Sequence, residues 1–67
     1  MNILINGNTK QFDVENMTIS DLVMTLNLVG KRLAIEKNGE IVPRSQFDAA
    51  ILNDGDKLEI VGAVGGG

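Results

Sequence analysis

The sequence predicts an α+β fold in which a single helix packs across one face of a mixed β-sheet. Three observations carry this. Short stretches alternate apolar and polar residues with a period of two, one stretch instead repeats its apolar residues at helical spacing, and Asn-Gly or Asp-Gly pairs stand between them where tight turns are needed. The predicted order is ββαββ followed by a final β.

The first strand is read from Met1, Ile3 and Ile5, which alternate with Asn2, Leu4 and Asn6. Asn6-Gly7-Asn8 marks a hairpin, because Asn and Gly tolerate the positive φ of a two-residue turn. The second strand is expected over Thr9 to Val14, with Phe12 and Val14 on one face. A helix over roughly 18–28 follows. Thr18 is its cap, Asp21 stands near its positive end, and Ile19, Leu22, Val23 and Leu26 form one apolar stripe. Gly30 is expected to stop it, with Lys31 and Arg32 beside its negative end.

Residues 33–37 read as a third strand, with Leu33 and Ile35 on one face. Asn38-Gly39 is a second hairpin signal, and Ile41-Val42 is a short strand ended by Pro43. Residues 45–52 contain Phe47, Ile51 and Leu52 without clear periodicity and are expected to be irregular. Asn53-Asp54-Gly55-Asp56 is a turn, shaped by local hydrogen bonds from its acidic side chains. Leu58 and Ile60 alternate with Lys57, Glu59 and Val61 in the last strand. First and last strands can lie side by side only as a parallel central pair, since everything between them is the crossover. The expected core is Ile3, Ile5, Leu22, Leu26, Leu33, Ile35, Leu58 and Ile60.

The chain has 67 residues, which makes it one domain: a folded body over 1–61 and a flexible glycine-rich tail over 62–67. A domain this small buries only about 60% of its unfolded surface, and without Cys no disulfide can staple it. The 43% hydrophobic content, with Phe12 and Phe47 as the two aromatics, suffices for an aliphatic core. A net charge of −3 argues against nucleic acid as the main partner, which needs a basic footprint. No apolar run approaches a membrane span, and the first residues lack the pattern of a secretory signal, so a cytoplasmic location is expected. The free chain is expected to be a monomer.

The chemistry is concentrated at the other end. Gly62-Ala63-Val64-Gly65-Gly66-Gly67 holds four glycines in six residues, which no regular element requires. Such a segment suits a thin end that enters a narrow channel and presents its carboxylate to another protein. An inert, frayed end has the same composition, but these glycines follow directly on an apolar strand with no polar spacer. A carboxylate becomes a good electrophile once its oxygen attacks the α-phosphorus of ATP to give an acyl-adenylate. A sulfur nucleophile can then displace AMP, and Gly67 offers least obstruction to both steps. The chain has no Cys nucleophile, no His base and no phosphate loop, so it is expected to be the substrate and carrier, not the enzyme. It is expected to bind no metal and no cofactor.

Leu4, Val42 and Val61 are expected on the sheet face opposite the helix, forming with Val64 an apolar docking patch that Gly65 and Gly66 extend toward the partner. Arg44, Lys37 and Lys57 read as solvated charges.

Leu33 to Phe47, running through Asn38-Gly39 into Ile41-Val42-Pro43-Arg44, and Asp54-Gly55-Asp56-Lys57-Leu58-Glu59-Ile60-Val61 resemble corresponding stretches of the β-grasp (ubiquitin-like) sulfur carriers. The turn and the terminal Val64-Gly65-Gly66-Gly67 are shared across that superfamily, including MoaD-like carriers of molybdopterin synthesis. The Ile-Val-Pro-Arg segment resembles the ThiS family of thiazole and thiamin synthesis. The resemblance covers the whole chain and implies a cycle. A ThiF-like enzyme of the E1 type uses MgATP to adenylate Gly67, a persulfide donor supplies sulfur, and the thiocarboxylate serves a ThiG-like thiazole synthase. A MoaD-like carrier and a ubiquitin-like modifier, joined to lysines through Gly67, are the alternatives that share the first step.

Overall fold

The computed structural model describes residues 1–62. Its elements are β1 (Asn2–Ile5), β2 (Asn8–Gln11), α1 (Ile19–Thr25), β3 (Leu33–Lys37), β4 (Glu40–Val42), a short 3-10 helix at Arg44–Gln46, and β5 (Lys57–Gly62). The strands form one mixed sheet in the order β2-β1-β5-β3-β4. β1 and β5 are the parallel central pair, as the crossover argument requires, and every other neighbouring pair is antiparallel.

Both hairpins turn on an Asn-Gly pair with two positive φ angles: 49° and 85° at Asn6 and Gly7, 52° and 89° at Asn38 and Gly39. That backbone twists with the strands it joins. β2 is shorter than the expected Thr9–Val14 and starts one residue earlier. Pairing from Ile5–Asn8 reaches Asn2–Gln11 and closes with reciprocal backbone bonds between Met1 and Phe12, at 2.8 and 2.9 Å. Val14 lies past those bonds and is exposed.

The helix begins as expected. Thr18 Oγ1 accepts the Asp21 N–H at 3.0 Å, and Asp21 Oδ2 accepts the Thr18 N–H at 3.0 Å, so Asp closes the capping box despite its shorter reach. It ends earlier than the expected residue 28. Leu26 is the C-cap, and Asn27, in the left-handed conformation (φ 59°), ends the helix in place of the expected Gly30. The Leu28 N–H bonds Val23 O and the Asn27 N–H bonds Met24 O, the paired bonds of a Schellman ending. Gly30 belongs to the next turn, and neither Lys31 nor Arg32 lies in the helix's last turn.

The core lies between α1 and the sheet. Ile3, Ile5, Leu22, Ile35, Leu58 and Ile60 are buried as expected, while Leu26 and Leu33 are half-buried against them. Met17, Ile19, Phe47 and Leu52 complete it. Phe47 and Leu52 come from the irregular stretch, which is tied to the start of α1: Ile19 N–H bonds Ala50 O, Ser20 N–H bonds Phe47 O, and Leu52 N–H bonds Met17 O. Each fully buried aliphatic side chain contributes about 1.5–3 kcal/mol, which is how so small a chain sustains a fold. No helix among the described residues is long and apolar enough to cross a membrane.

Candidate functional site

The site is built around β5, the strand that leads toward the glycines. Leu58 and Ile60 point into the core, and Lys57, Glu59 and Val61 lie on the open face of the sheet. β5 runs through Gly62, which pairs with Leu33 and so takes in the first residue of the expected tail. Val64, Gly65, Gly66 and Gly67 lie outside the described residues.

Two turn asparagines hold this strand from opposite sides. At its start, Asn38 Oδ1 accepts the Lys57 N–H at 3.0 Å and the Asn38 N–H bonds Lys57 O at 2.7 Å. Toward its end, Asn6 Oδ1 accepts the Ile60 N–H at 2.7 Å and Asn6 Nδ2 donates to Ile60 O at 2.9 Å. The turn before β5 is also tied to β1: Asp54 Oδ1 accepts the Asn2 N–H at 2.7 Å, and the Gly55 N–H bonds Asn2 O at 2.8 Å. Asp54 therefore works across the sheet, and Asp56 both caps its own turn, by accepting the Asn53 N–H at 2.8 Å, and accepts from Asn38 Nδ2 at 3.0 Å.

The expected docking patch is rearranged. Val61 is on the open face, 57% exposed, with Ala34 opposite it. Leu4 shares that face but sits at the level of Lys57, so Lys57 and Glu59 separate it from Val61. Val42 is not on that face: it pairs with Ile35 and packs against the core. The two-residue turn sets Lys37 opposite Glu40, which places Ile41 beside Glu36 on the open face, 65% exposed. This correction was available from sequence, since a two-residue loop and a period of two fix which β4 side chain shares the face of Ile35.

The resulting surface is an apolar group of Val61, Ala34 and Ile41 beside two carboxylates. Glu36 and Glu59 stand directly opposite each other across β3 and β5. Like charges so placed disfavour the isolated sheet and favour a partner that brings a cation between them.

Two charges read as solvated are engaged. Lys37 Nζ donates to Ile51 O at 3.1 Å and lies 3.8 Å from the Asp56 carboxylate, and Arg44 Nη2 donates to Lys31 O at 3.1 Å. No group of three His, Cys, Asp or Glu side chains among the described residues is arranged to hold a metal.

The family model described as the ThiS family matches residues 3–67. The chain is 35% identical over 63 residues to the sulfur carrier protein ThiS of Bacillus subtilis, covering 94% of this chain and 96% of that protein. It is 43% identical over 67 residues to a thiazole synthase of Paramagnetospirillum magneticum, covering all of this chain but 20% of that protein. The chain thus spans about a fifth of the length of that relative. Among solved structures, the crystal structure of the thiamine biosynthesis protein ThiS from Geobacter metallireducens superposes with a TM-score of 0.87 at 33% identity, covering 100% of both chains.

Proposed function

The chain belongs to the ThiS family, and on that premise we propose that it is a sulfur carrier for thiamin biosynthesis whose working group is the carboxylate of Gly67. The observation that carries this reading is the family match itself, which runs through the glycines to residue 67.

In the proposed cycle a ThiF-type enzyme binds the chain and MgATP. A carboxylate oxygen of Gly67 attacks the α-phosphorus, and pyrophosphate leaves. The terminal sulfur of a persulfide donor then attacks the acyl carbon, and AMP leaves. A thiol cleaves the S–S bond of the resulting acyl disulfide and frees the thiocarboxylate. The missing Cβ of glycine keeps the acyl carbon open to each attack. The carrier binds no cofactor of its own and, apart from the Gly67 carboxylate itself, contributes no acid, base or nucleophile, in keeping with a sequence without Cys or His. The cycle runs in the cytoplasm, where ATP is at hand.

A ThiG-type thiazole synthase is the proposed acceptor. Thiazole synthases of Paramagnetospirillum magneticum and Magnetococcus marinus carry a stretch similar to this whole chain, at 43% and 31% identity, which supports that pairing over a molybdopterin partner. The open face around Val61, Ala34 and Ile41 is the proposed docking surface, with Glu36 and Glu59 receiving a basic group. Val64, Gly65 and Gly66 then lead to the reacting end.

Intact-mass measurement of the protein recovered from its own cells tests the reading. It predicts a population in which one oxygen is replaced by sulfur at Gly67. Recovery only as isopeptide conjugates would instead make it a protein modifier.

A further inference from the structure

β1 and β5 pair through Leu4–Lys57 and Ile5–Leu58. The Asn6 N–H makes one more main-chain bond to β5, to Leu58 O at 3.0 Å, and beyond it the chain turns away because Asn6 and Gly7 begin the reversal into β2. β5 continues to Gly62 and stays paired with β3 along that length. On the β1 side its neighbour is gone, and the Asn6 side chain fills the place. Its Oδ1 accepts the Ile60 N–H at 2.7 Å and its Nδ2 donates to Ile60 O at 2.9 Å. A carboxamide carries the same donor and acceptor as a peptide group, so it acts as one more backbone unit of β1.

From this pairing we infer that Asn6 is a positioning residue: its carboxamide latches β5 at Ile60 and fixes the end of the strand from which the chain continues to Gly67. The position needs two properties at once. Its φ of 49° lies in the left-handed region, which Gly, Asn and Asp tolerate best. Its side chain must also both donate and accept. Gly meets the first need and fails the second, and ionised Asp accepts but sets a carboxylate against the Ile60 carbonyl. Asn meets both.

The consequence for acyl activation rests on the carrier reading, while the latch itself does not. A carrier docks through its open face, but its end reacts only when held in line with the α-phosphorus. Val61 and Glu59, on either side of Ile60, stay paired with Ala34 and Glu36 of β3, so losing the latch on the β1 side keeps the docking face and makes the productive arrangement rarer. The effect belongs in kcat and not in KM.

The test uses the full chain as wild type, Asn6→Gly and Asn6→Asp. Amide hydrogen exchange is followed at Ile60 and at Leu4, whose N–H bonds Asp56 O within the β1–β5 ladder. ATP–pyrophosphate exchange by a ThiF-type enzyme is measured alongside. Asn6→Gly keeps the turn and should speed exchange at Ile60 by about tenfold with Leu4 nearly unchanged. Both variants should lower kcat by about tenfold at constant KM. Unchanged protection at Ile60 in Asn6→Gly, equal loss at both amides, or an unchanged kcat with Ile60 unlatched would each overturn the inference. A wild-type chain that is never adenylated would sink the carrier reading instead, and the exchange comparison would still decide the latch.

Discussion

The side chain of Asn38 donates to the buried carboxylate of Asp56 at 3.0 Å, joining the β3–β4 turn to the turn that starts β5. The other oxygen of Asp56 accepts the Asn53 N–H at 2.8 Å, and the Lys37 ammonium stands 3.8 Å away. Asp56→Ala leaves two donors without an acceptor and should cost about 2–3 kcal/mol in urea unfolding. Asp54→Ala removes one exposed bond to the Asn2 N–H and should cost about 1 kcal/mol. The reverse order would contradict this arrangement.

Leu22 and Met24 stand two residues apart on α1 with opposite exposures, 0% and 64%. Leu22→Ala should cost about 2–5 kcal/mol, a large share of the roughly 3–10 kcal/mol available to a domain of this size. Met24→Ala should change stability by less than about 0.5 kcal/mol. Thermal unfolding of the two variants makes the comparison.

The capping box gives a third, smaller effect. Thr18→Ala should cost about 1 kcal/mol, and Thr18→Ser should recover most of it, because the hydroxyl that accepts the Asp21 N–H is restored. Equal loss in both variants would mean that the methyl group, and not the cap, matters there.

Features that rest on local chemistry were legible in the sequence. Thr18 with Asp21, the Asn-Gly turns, and the alternation through Ile3, Ile5, Leu58 and Ile60 each declare themselves within a few residues. The end of α1 did not, because Asn27 is a weaker punctuation mark than Gly30 yet adopts the same left-handed conformation. Phe47 and Leu52 gave no periodic signal, since both reach the core from an irregular segment held by bonds to the start of α1. At the candidate site, Val61 on the open face was legible. The bonds from Asn6 to Ile60 span 54 residues, and no local pattern encodes them.

The open face offers a paired test at adjacent positions. Ile41→Glu adds a charge on the exposed surface and should weaken binding to the activating enzyme by about tenfold or more with little change in stability. Val42→Glu forces a charge toward the core and should lower stability by about 1–3 kcal/mol. Affinity measurement and thermal unfolding on both variants separate a docking residue from a packing residue. Equal binding by Ile41→Glu and wild type would remove Ile41 from the docking surface.

The central claim is that sulfur is carried on the carboxylate of Gly67, and reconstitution with a ThiF-type enzyme, MgATP, a persulfide donor and a thiol tests it most directly. Mass spectrometry of the chain should show an oxygen-for-sulfur exchange located at Gly67, and none when a single alanine is added after it. Undiminished sulfur loading on the lengthened chain would contradict the account.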